Sequence, residues 1–384
     1  MVIEIKQNQT LNIYSKKTWT LCLIASFLLV VGLCVVEYNY GYFNNYLIFT
    51  RPFQVMLSKG NIYDFHPELY MDTFKYSPGF AIILGILFYL PNLTGIILWN
   101  VLNASVLFIG IQKFFKTFKE RIQTLVILIP MLAISVHNEQ SNALVAGFIL
   151  ISLAYLRTAK PISAALCLSF CLFIKFYGIF LGISFLFFKG KLRFFLACTI
   201  FSLLQFLWPF VFFDTNYLIT VYQNWWYVLK TTGLTDSCTV ISVFKNWFGI
   251  ILPFWLWLAA GTLVVLLPLT NKKMYNQNRF QNLMFGSFLI YLILFNKMAG
   301  FPTYLIAVTG FGILYNSVLP KTRMLKTLAL SVLLLGILSQ YRLPYNLVNS
   351  FILPSHIWAF LFLLIWVYLQ RLLWKLEFNS QLQE

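Results

Sequence analysis

Long apolar runs separated by short polar segments occupy most of the chain. A helix needs about 20 apolar residues to cross a hydrocarbon core of about 30 Å. The pattern therefore predicts an all-α polytopic membrane protein with about twelve transmembrane helices, and a single integral membrane domain over residues 1–384. The predicted spans are 18–36, 77–90, 93–112, 124–137, 140–157, 161–188, 192–213, 247–269, 282–296, 302–317, 326–340 and 353–372.

The composition agrees with this class. Hydrophobic residues make up 60% of the chain and charged residues 10%, whereas soluble domains carry about 25% charged residues. That balance excludes a soluble enzyme and a secreted domain. The six cysteines lie mostly in apolar runs and predict no disulfide framework. The first apolar run lacks a small-residue cleavage site before Glu37, so we expect it to be a retained helix.

The basic residues predict which side of the membrane each loop faces. The net charge of +17 comes from Lys and Arg between the apolar runs, so it requires no nucleic-acid partner. Lys16 and Lys17 place the N-terminus in the cytoplasm, and Arg371 and Lys375 place the C-terminus there as well. Most carboxylates then fall on the outer side. Since acidic residues contribute little to orientation, this asymmetry indicates an extracytoplasmic site in the cell membrane.

Two predicted spans are irregular in this threading. The run 161–188 has basic residues on both flanks, so it must be a hairpin that turns near Lys175. The runs 77–90 and 93–112 together must make one net crossing. A charged group inside an apolar run costs about 2.5–3.5 kcal/mol. Lys175 is therefore predicted to serve a site, and a snorkelling lysine is the alternative.

The longest predicted outer loop, 37–76, is too long to be a plain connector. Its first half, from Asn44 to Tyr63, predicts an interfacial amphipathic helix that is broken near Pro52 and ends at Gly60. Its second half contains three carboxylates, a histidine and a lysine just ahead of the next span. Charged residues at a membrane surface suit a polar headgroup substrate, and a solvated loop with an aromatic belt is the alternative.

A second polar segment, 137–142, joins two apolar runs and has the sequence HNEQSN. Polar groups at membrane depth are costly unless they serve a site or a cavity, so this segment is predicted to bind substrate. A hairpin tip exposed to water is the alternative. His137 and Glu139 are too few ligands to indicate a metal site, and we expect neither a metal nor a cofactor.

Several short motifs follow one another over residues 44–250: LSKGNIY, DTFKYSPGFAIILGILFYLP, GIILWNVLN, HNEQSNALVAGFILISLAYL, AKPISAALCLSFCLFIKFYGIF and KGKLR. In this order they resemble the integral-membrane mannosyltransferase-like proteins of glycosyltransferase family 87, in the GT-C superfamily. The resemblance implies a GT-C-like bundle and a hexosyltransferase. It would move mannose or a similar hexose or pentose from a polyprenyl-phosphate donor to a lipid or glycan acceptor. Transfer would occur with inversion on the extracytoplasmic face.

The resemblance also implies a catalytic carboxylate, since inverting transfer needs a base that accepts the proton of the acceptor hydroxyl. The family keeps an Asp early in the first outer loop, where this chain has Asn44 and Asn45. An amide cannot act as a base at neutral pH. Asp72 is therefore the predicted base, Glu68 the second choice and Glu37 the third. The other reading is a protein that binds its lipid without catalysing transfer.

The remaining roles that follow from the resemblance concern substrate binding. Gln140 and Asn142 match the family's G-Q-x-N site, and Lys175 with Tyr177 is predicted to contact the donor phosphate. A stretch in the outer loop 214–246 loosely resembles a Ser-containing motif near the donor. The complete predicted substrate-binding set is Asn44, Asn45, Lys75, Tyr76, Glu139, Gln140, Asn142, Lys175, Tyr177, Asp236 and Ser237.

Three rival classes remain: a non-catalytic binder of lipid-linked glycans, a flippase and a secondary transporter. Transporters usually show internal repeats and ionisable residues near the bilayer midplane. This sequence shows no repeat, and its polar residues cluster in the outer loops. That distribution favours an enzyme over a transporter. A flippase would also bind a polyprenyl lipid, so the sequence separates a flippase from the enzyme less well.

Overall fold

The structure is a computed structural model that describes residues 14–175, 182–231, 238–297, 299–340, 352 and 356–381. Over these residues the chain forms helices and no β-strand. The helices are α1 Lys16–Tyr40, α2 Asn44–Leu57, α3 Pro78–Phe88, α4 Asn92–Phe114, α5 Phe118–His137, α6 Asn142–Arg157, α7 Pro161–Ile174, α8 Lys191–Leu207, α9 Thr215–Thr231, α10 Val240–Phe248, α11 Phe254–Leu266, α12 Asn278–Leu294, α13 Tyr304–Ser317, α14 Arg323–Leu338 and α15 Ile357–Gln381.

Several of these helices are long and apolar enough to cross a bilayer. Five meet this criterion among the described residues: α1, α4, α5, α8 with its continuation to Val211, and α15. Further apolar helices, including α3, α6 and α7, are shorter. The protein is therefore a helical, multi-pass membrane protein, which confirms the predicted class. The number of crossings beyond these five stays a prediction.

The two irregular spans have clear local forms. Helix α3 has 11 residues, which gives a length of about 16 Å, too short for a core of about 30 Å. Helix α4 has 23 residues and is long enough, and which member of the pair is incomplete stays a prediction. Helix α7 ends at Ile174, and a 3₁₀ helix follows at Gly182–Phe187. The helix thus ends before Lys175, and the hairpin itself stays a prediction.

Three local expectations were wrong. The segment 214–246 was predicted as a loop, but α9 forms there, started by Asp214 Oδ1, which accepts from the backbone N–H groups of the second and third helical residues. The predicted span 247–269 is interrupted because Gly249, at φ +67°, ends α10 and Pro253 precedes α11. Helix α2 is not broken at Pro52, which lies inside the helix and is buried.

Small residues set the spacing between the most closely packed helices. A Cβ on Gly110 of α4 would lie 2.7 Å from the carbonyl oxygen of Gly147 in α6. A Cβ on Gly286 of α12 would lie 2.9 Å from the carbonyl oxygen of Gly310 in α13. Interfaces of this kind allow backbones to approach closely where no water drives helices together. Near the start of α6 the Leu144 N–H donates to Asn103 Oδ1 of α4 at 3.1 Å, close to the site described next.

Candidate active site

A cavity of about 440 Å³ collects polar side chains from distant parts of the chain. Its walls come from α2, the segment 72–76, the turn between α5 and α6, the end of α7, α9, and the turn before α13. The predicted site residues that line it are Asn45, Asp72, Lys75, Tyr76, Gln140 and Lys175. The fold therefore brings six predicted residues into one space, although the first and the last are 130 positions apart in the sequence (175 − 45).

Asp72 and Lys75 form an ion pair at the cavity wall. Both carboxylate oxygens of Asp72 lie 3.2 Å from Lys75 Nζ. Asp72 Oδ1 also accepts from the backbone N–H of Thr73 at 2.7 Å. The Asp72 side chain is 56% exposed, so it remains open to a ligand. A carboxylate in this position can accept a proton, and the ammonium beside it can contact an anionic group.

Lys175 is the second cation of the cavity. Its Nζ donates to Asn142 Oδ1 at 2.7 Å, and Asn142 is fully buried as the first residue of α6. Within the described residues no carboxylate forms an ion pair with Lys175. A neutral amide leaves the charge of the ammonium uncompensated. The position is therefore suited to an anion such as a phosphate.

The turn between α5 and α6 is held in place by backbone contacts. The indole N–H of Trp99 donates to the Glu139 carbonyl at 2.7 Å, and the Gln140 N–H donates to the Ser135 carbonyl at 3.0 Å. Asn45 Nδ2 donates to the Asn138 carbonyl at 2.9 Å, which ties α2 to the same turn. Gln140 is consequently presented to the cavity by a fixed backbone.

The family model for glycosyltransferase family 87 matches residues 74–295, more than half of the chain. The chain belongs to glycosyltransferase family 87. It is thus a GT-C-type membrane glycosyltransferase, which confirms the family expected from the motifs. Among solved structures it is similar to ArnT from Cupriavidus metallidurans bound to undecaprenyl phosphate, with 14% identity and a TM-score of 0.44, over 93% of this chain and 77% of that one. No curated protein matches the chain.

The matched range divides the candidate site of this family 87 member. Lys75, Gln140 and Lys175 fall inside it, whereas Asp72 and α2 precede its first residue. The part of the cavity that carries the carboxylate therefore lies outside the matched range.

Two other predicted carboxylates lie behind the cavity of this glycosyltransferase and do not line it. Glu37, on α1, is fully buried, and its Oε1 lies 2.6 Å from His137 Nδ1. Glu139 is also buried, and its pKa lies well above the usual range, first because burial disfavours the charged form and second because Glu37 is near. Both side chains are buried near the α5–α6 turn, and their predicted roles stay predictions.

The remaining predicted residues divide into three groups. Glu68 is exposed, lies outside the cavity and pairs with His66 Nδ1 at 3.2 Å. Asn44 lies next to the cavity wall and contacts Met71. Tyr177, Asp236 and Ser237 lie outside the described residues.

The sequence was not expected to form a helix at α9, and this helix contributes to the family 87 site. Trp225 lines the cavity, and its indole N–H donates to the Lys75 carbonyl at 3.3 Å. Tyr217, two turns earlier, donates from its hydroxyl to the Gly60 carbonyl at 2.8 Å. These two aromatics are eight residues apart, a helical spacing that an amphipathic pattern beginning at Asp214 could have revealed.

An apolar groove of about 880 Å³ adjoins the cavity. It runs between α7, α8 and α9, and it shares Phe173, Trp225 and Leu229 with the cavity. Phe195 and Leu203 of α8 line the groove and are themselves exposed on the apolar surface of the helix. The polar cavity therefore continues into an apolar channel that reaches the outside of the bundle.

Proposed function

We propose that this family 87 enzyme transfers a sugar, either mannose or a similar hexose or pentose, from a polyprenyl-phosphate donor to a lipid or glycan acceptor. Transfer takes place with inversion on the extracytoplasmic face. The observation that carries the proposal is the cavity in which the Asp72 carboxylate lies with the ammonium groups of Lys75 and Lys175. A base and cations around one space are what transfer from a phosphate-linked sugar requires.

In the proposed reaction the acceptor hydroxyl oxygen attacks the anomeric carbon of the donor sugar. Asp72 takes the hydroxyl proton as the new C–O bond forms. The bond between the anomeric carbon and the phosphate oxygen breaks, and its electron pair leaves with the phosphate. Lys175 meets the negative charge that develops there, and Lys75 lies beside the base. Attack from the face opposite the phosphate inverts the anomeric centre.

The apolar groove supports a lipid-linked donor. A polyprenyl chain is a long hydrocarbon, and it gains free energy when it is buried against apolar side chains such as Leu168, Leu172 and Leu203. The groove meets the cavity at Phe173, so a lipid seated in it would present its headgroup to Lys175. A soluble nucleotide-sugar has no hydrocarbon chain that this apolar groove could bind.

The test of this function is transfer of label from radiolabelled polyprenyl-phosphate sugars in membranes that carry the protein. We expect label in a lipid or glycan fraction from at least one donor sugar, and none from membranes without the protein. Binding of every donor without transfer from any would contradict the enzyme and favour the non-catalytic lipid binder.

We also propose a topology of about twelve crossings in a GT-C-like bundle, since spans of about 20 residues fit the apolar runs. Both termini would be cytoplasmic, and 37–76 would be an extracytoplasmic loop with α2 at the interface. Support comes from α2 itself, where buried apolar residues such as Ile48 and Val55 alternate with exposed or half-exposed ones. The basic residues at the start of α1 orient the first crossing.

Cysteine labelling tests that topology. A membrane-impermeant maleimide added outside intact cells should modify Glu68→Cys and leave Lys191→Cys and Lys272→Cys unmodified until the membrane is opened. All three positions are exposed in the structure. The unsubstituted chain, whose cysteines are buried or half-buried, is the control. Modification of Lys191→Cys from outside would overturn the threading.

A further inference from the structure

The side chain of Asn44 binds both backbone groups of Met71, which lies 27 positions later in the sequence. Asn44 Nδ2 donates to the Met71 carbonyl at 2.6 Å, and Asn44 Oδ1 accepts from the Met71 N–H at 2.7 Å. Asn44 is the first residue of α2, so the loop is attached to a helix that forms one wall of the cavity. The residue that follows Met71 is Asp72.

We propose that Asn44 is a positioning residue, which holds the Asp72 carboxylate in the cavity by fixing the backbone of Met71. The inference rests on the proposed role of Asp72 as the base. It assigns a task to a side chain that does not line the cavity.

The backbone of Asp72 shows why such an anchor is needed. Asp72 has φ +127°, a conformation that residues with a Cβ rarely adopt. Strained conformations of this kind persist only where the surroundings determine them. On its C-terminal side Asp72 is held by its own carboxylate, which accepts from Thr73 N–H and pairs with Lys75. On its N-terminal side the fixed point is the pair of hydrogen bonds between the Asn44 side chain and the Met71 backbone.

The arrangement needs an amide, because one end of the side chain must donate while the other accepts. An ionised carboxylate has only acceptors. In Asn44→Asp one oxygen would therefore face the Met71 carbonyl, with the loss of a hydrogen bond and a repulsion in its place. A protonated carboxyl again has one donor and one acceptor. Acidification should thus restore the missing hydrogen bond in this variant.

The chain offers a matched control at Asn61. Its side chain also accepts from a backbone N–H, that of Tyr63 at 3.2 Å, and donates through Nδ2 to Asp64 Oδ1 at 2.7 Å. Asn61→Asp loses the same kind of donor and adds the same charge to the same loop. It has no hydrogen bond to Met71 or Asp72, so it reports what loop destabilisation alone does.

The experiment measures kcat, KM for the donor and the pH profile of wild type, Asn44→Asp and Asn61→Asp. We expect Asn44→Asp to lower kcat by about 10- to 100-fold near pH 7 with little change in KM, since misplacement by about 1 Å can cost about 10²-fold. The ratio of its kcat to that of wild type should rise as the pH falls from about 7 to about 5. Asn61→Asp should retain the wild-type kcat.

A second readout is independent of catalysis. Backbone amide exchange of a peptide containing Met71 should be faster in Asn44→Ala than in wild type, because the acceptor of that N–H is removed.

Wild-type kcat in Asn44→Asp at every pH would overturn the inference. The inference would also be overturned if Asn61→Asp and Asn44→Asp lost kcat equally and the kcat of Asn44→Asp did not recover at low pH. If Asp72→Asn transfers sugar at the wild-type rate, the proposed base is wrong, while amide exchange still tests the anchor.

Discussion

Asp72→Asn should slow sugar transfer by about 10²- to 10⁴-fold, the usual contribution of a general base, and leave donor affinity nearly unchanged. Asparagine has nearly the same shape and still accepts the Thr73 N–H, but it cannot take a proton from the acceptor hydroxyl. The measurement is transfer from a radiolabelled polyprenyl-phosphate sugar at saturating acceptor. Donor binding in the same membranes separates chemistry from affinity.

Asp64→Asn is the matched control for this prediction. Asp64 lies in the same loop, is exposed and pairs with Asn61, but it does not line the cavity. It should retain the wild-type rate. If Asp72→Asn also retains it while Glu68→Gln or Glu37→Gln is slow, the base is one of those carboxylates and the assignment made here is wrong.

Lys175→Met should weaken the binding of polyprenyl phosphate by about 10- to 100-fold, because a hydrogen bond to a charged group contributes about 1.5–3 kcal/mol. Methionine keeps much of the apolar stem and removes the ammonium. In the donor-free protein the substitution also leaves the buried amide oxygen of Asn142 without its donor, which should lower the stability by about 1–3 kcal/mol. Equilibrium binding of a short-chain polyprenyl phosphate, with thermal unfolding of the same sample, measures both effects.

Lys191→Met provides the comparison for charge removal at a distance. Lys191 begins α8 and is exposed, away from the cavity. We expect its donor affinity to equal that of wild type. Unchanged affinity in Lys175→Met as well would mean that this lysine only satisfies Asn142 and takes no part in binding the phosphate.

The apolar pattern predicted the membrane class and most helix positions because each span places many consecutive apolar residues in contact with lipid or with other spans. It failed at α9 and α10, which are amphipathic, so their apolar residues are spaced along one face and do not form a run. Gly249 and Pro253 interrupt the path between α10 and α11 for a reason of local backbone geometry, which hydropathy does not register.

The candidate site was predictable where polar residues interrupt an apolar context. Lys175 and Gln140 stood out for this reason, and both line the cavity. The pairing of Glu37 with His137 could not be predicted, since it depends on how α1 packs against α5. Asn44 was predicted from the sequence to bind substrate at the family's Asp position, and its contact with Met71 could not be predicted, because a backbone partner leaves no trace in side-chain patterns.

The groove beside the cavity bears on the unit in which the donor concentration should be given. Its wall includes Phe195 and Leu203, which are exposed on the outer surface of α8. On the proposed function the donor arrives by lateral diffusion in the plane of the bilayer, and the spent lipid leaves along the same path. The rate should then follow the mole fraction of donor among the surrounding lipids. Diluting the donor with inert phospholipid should slow the enzyme even when the amount of donor per volume of sample is held constant.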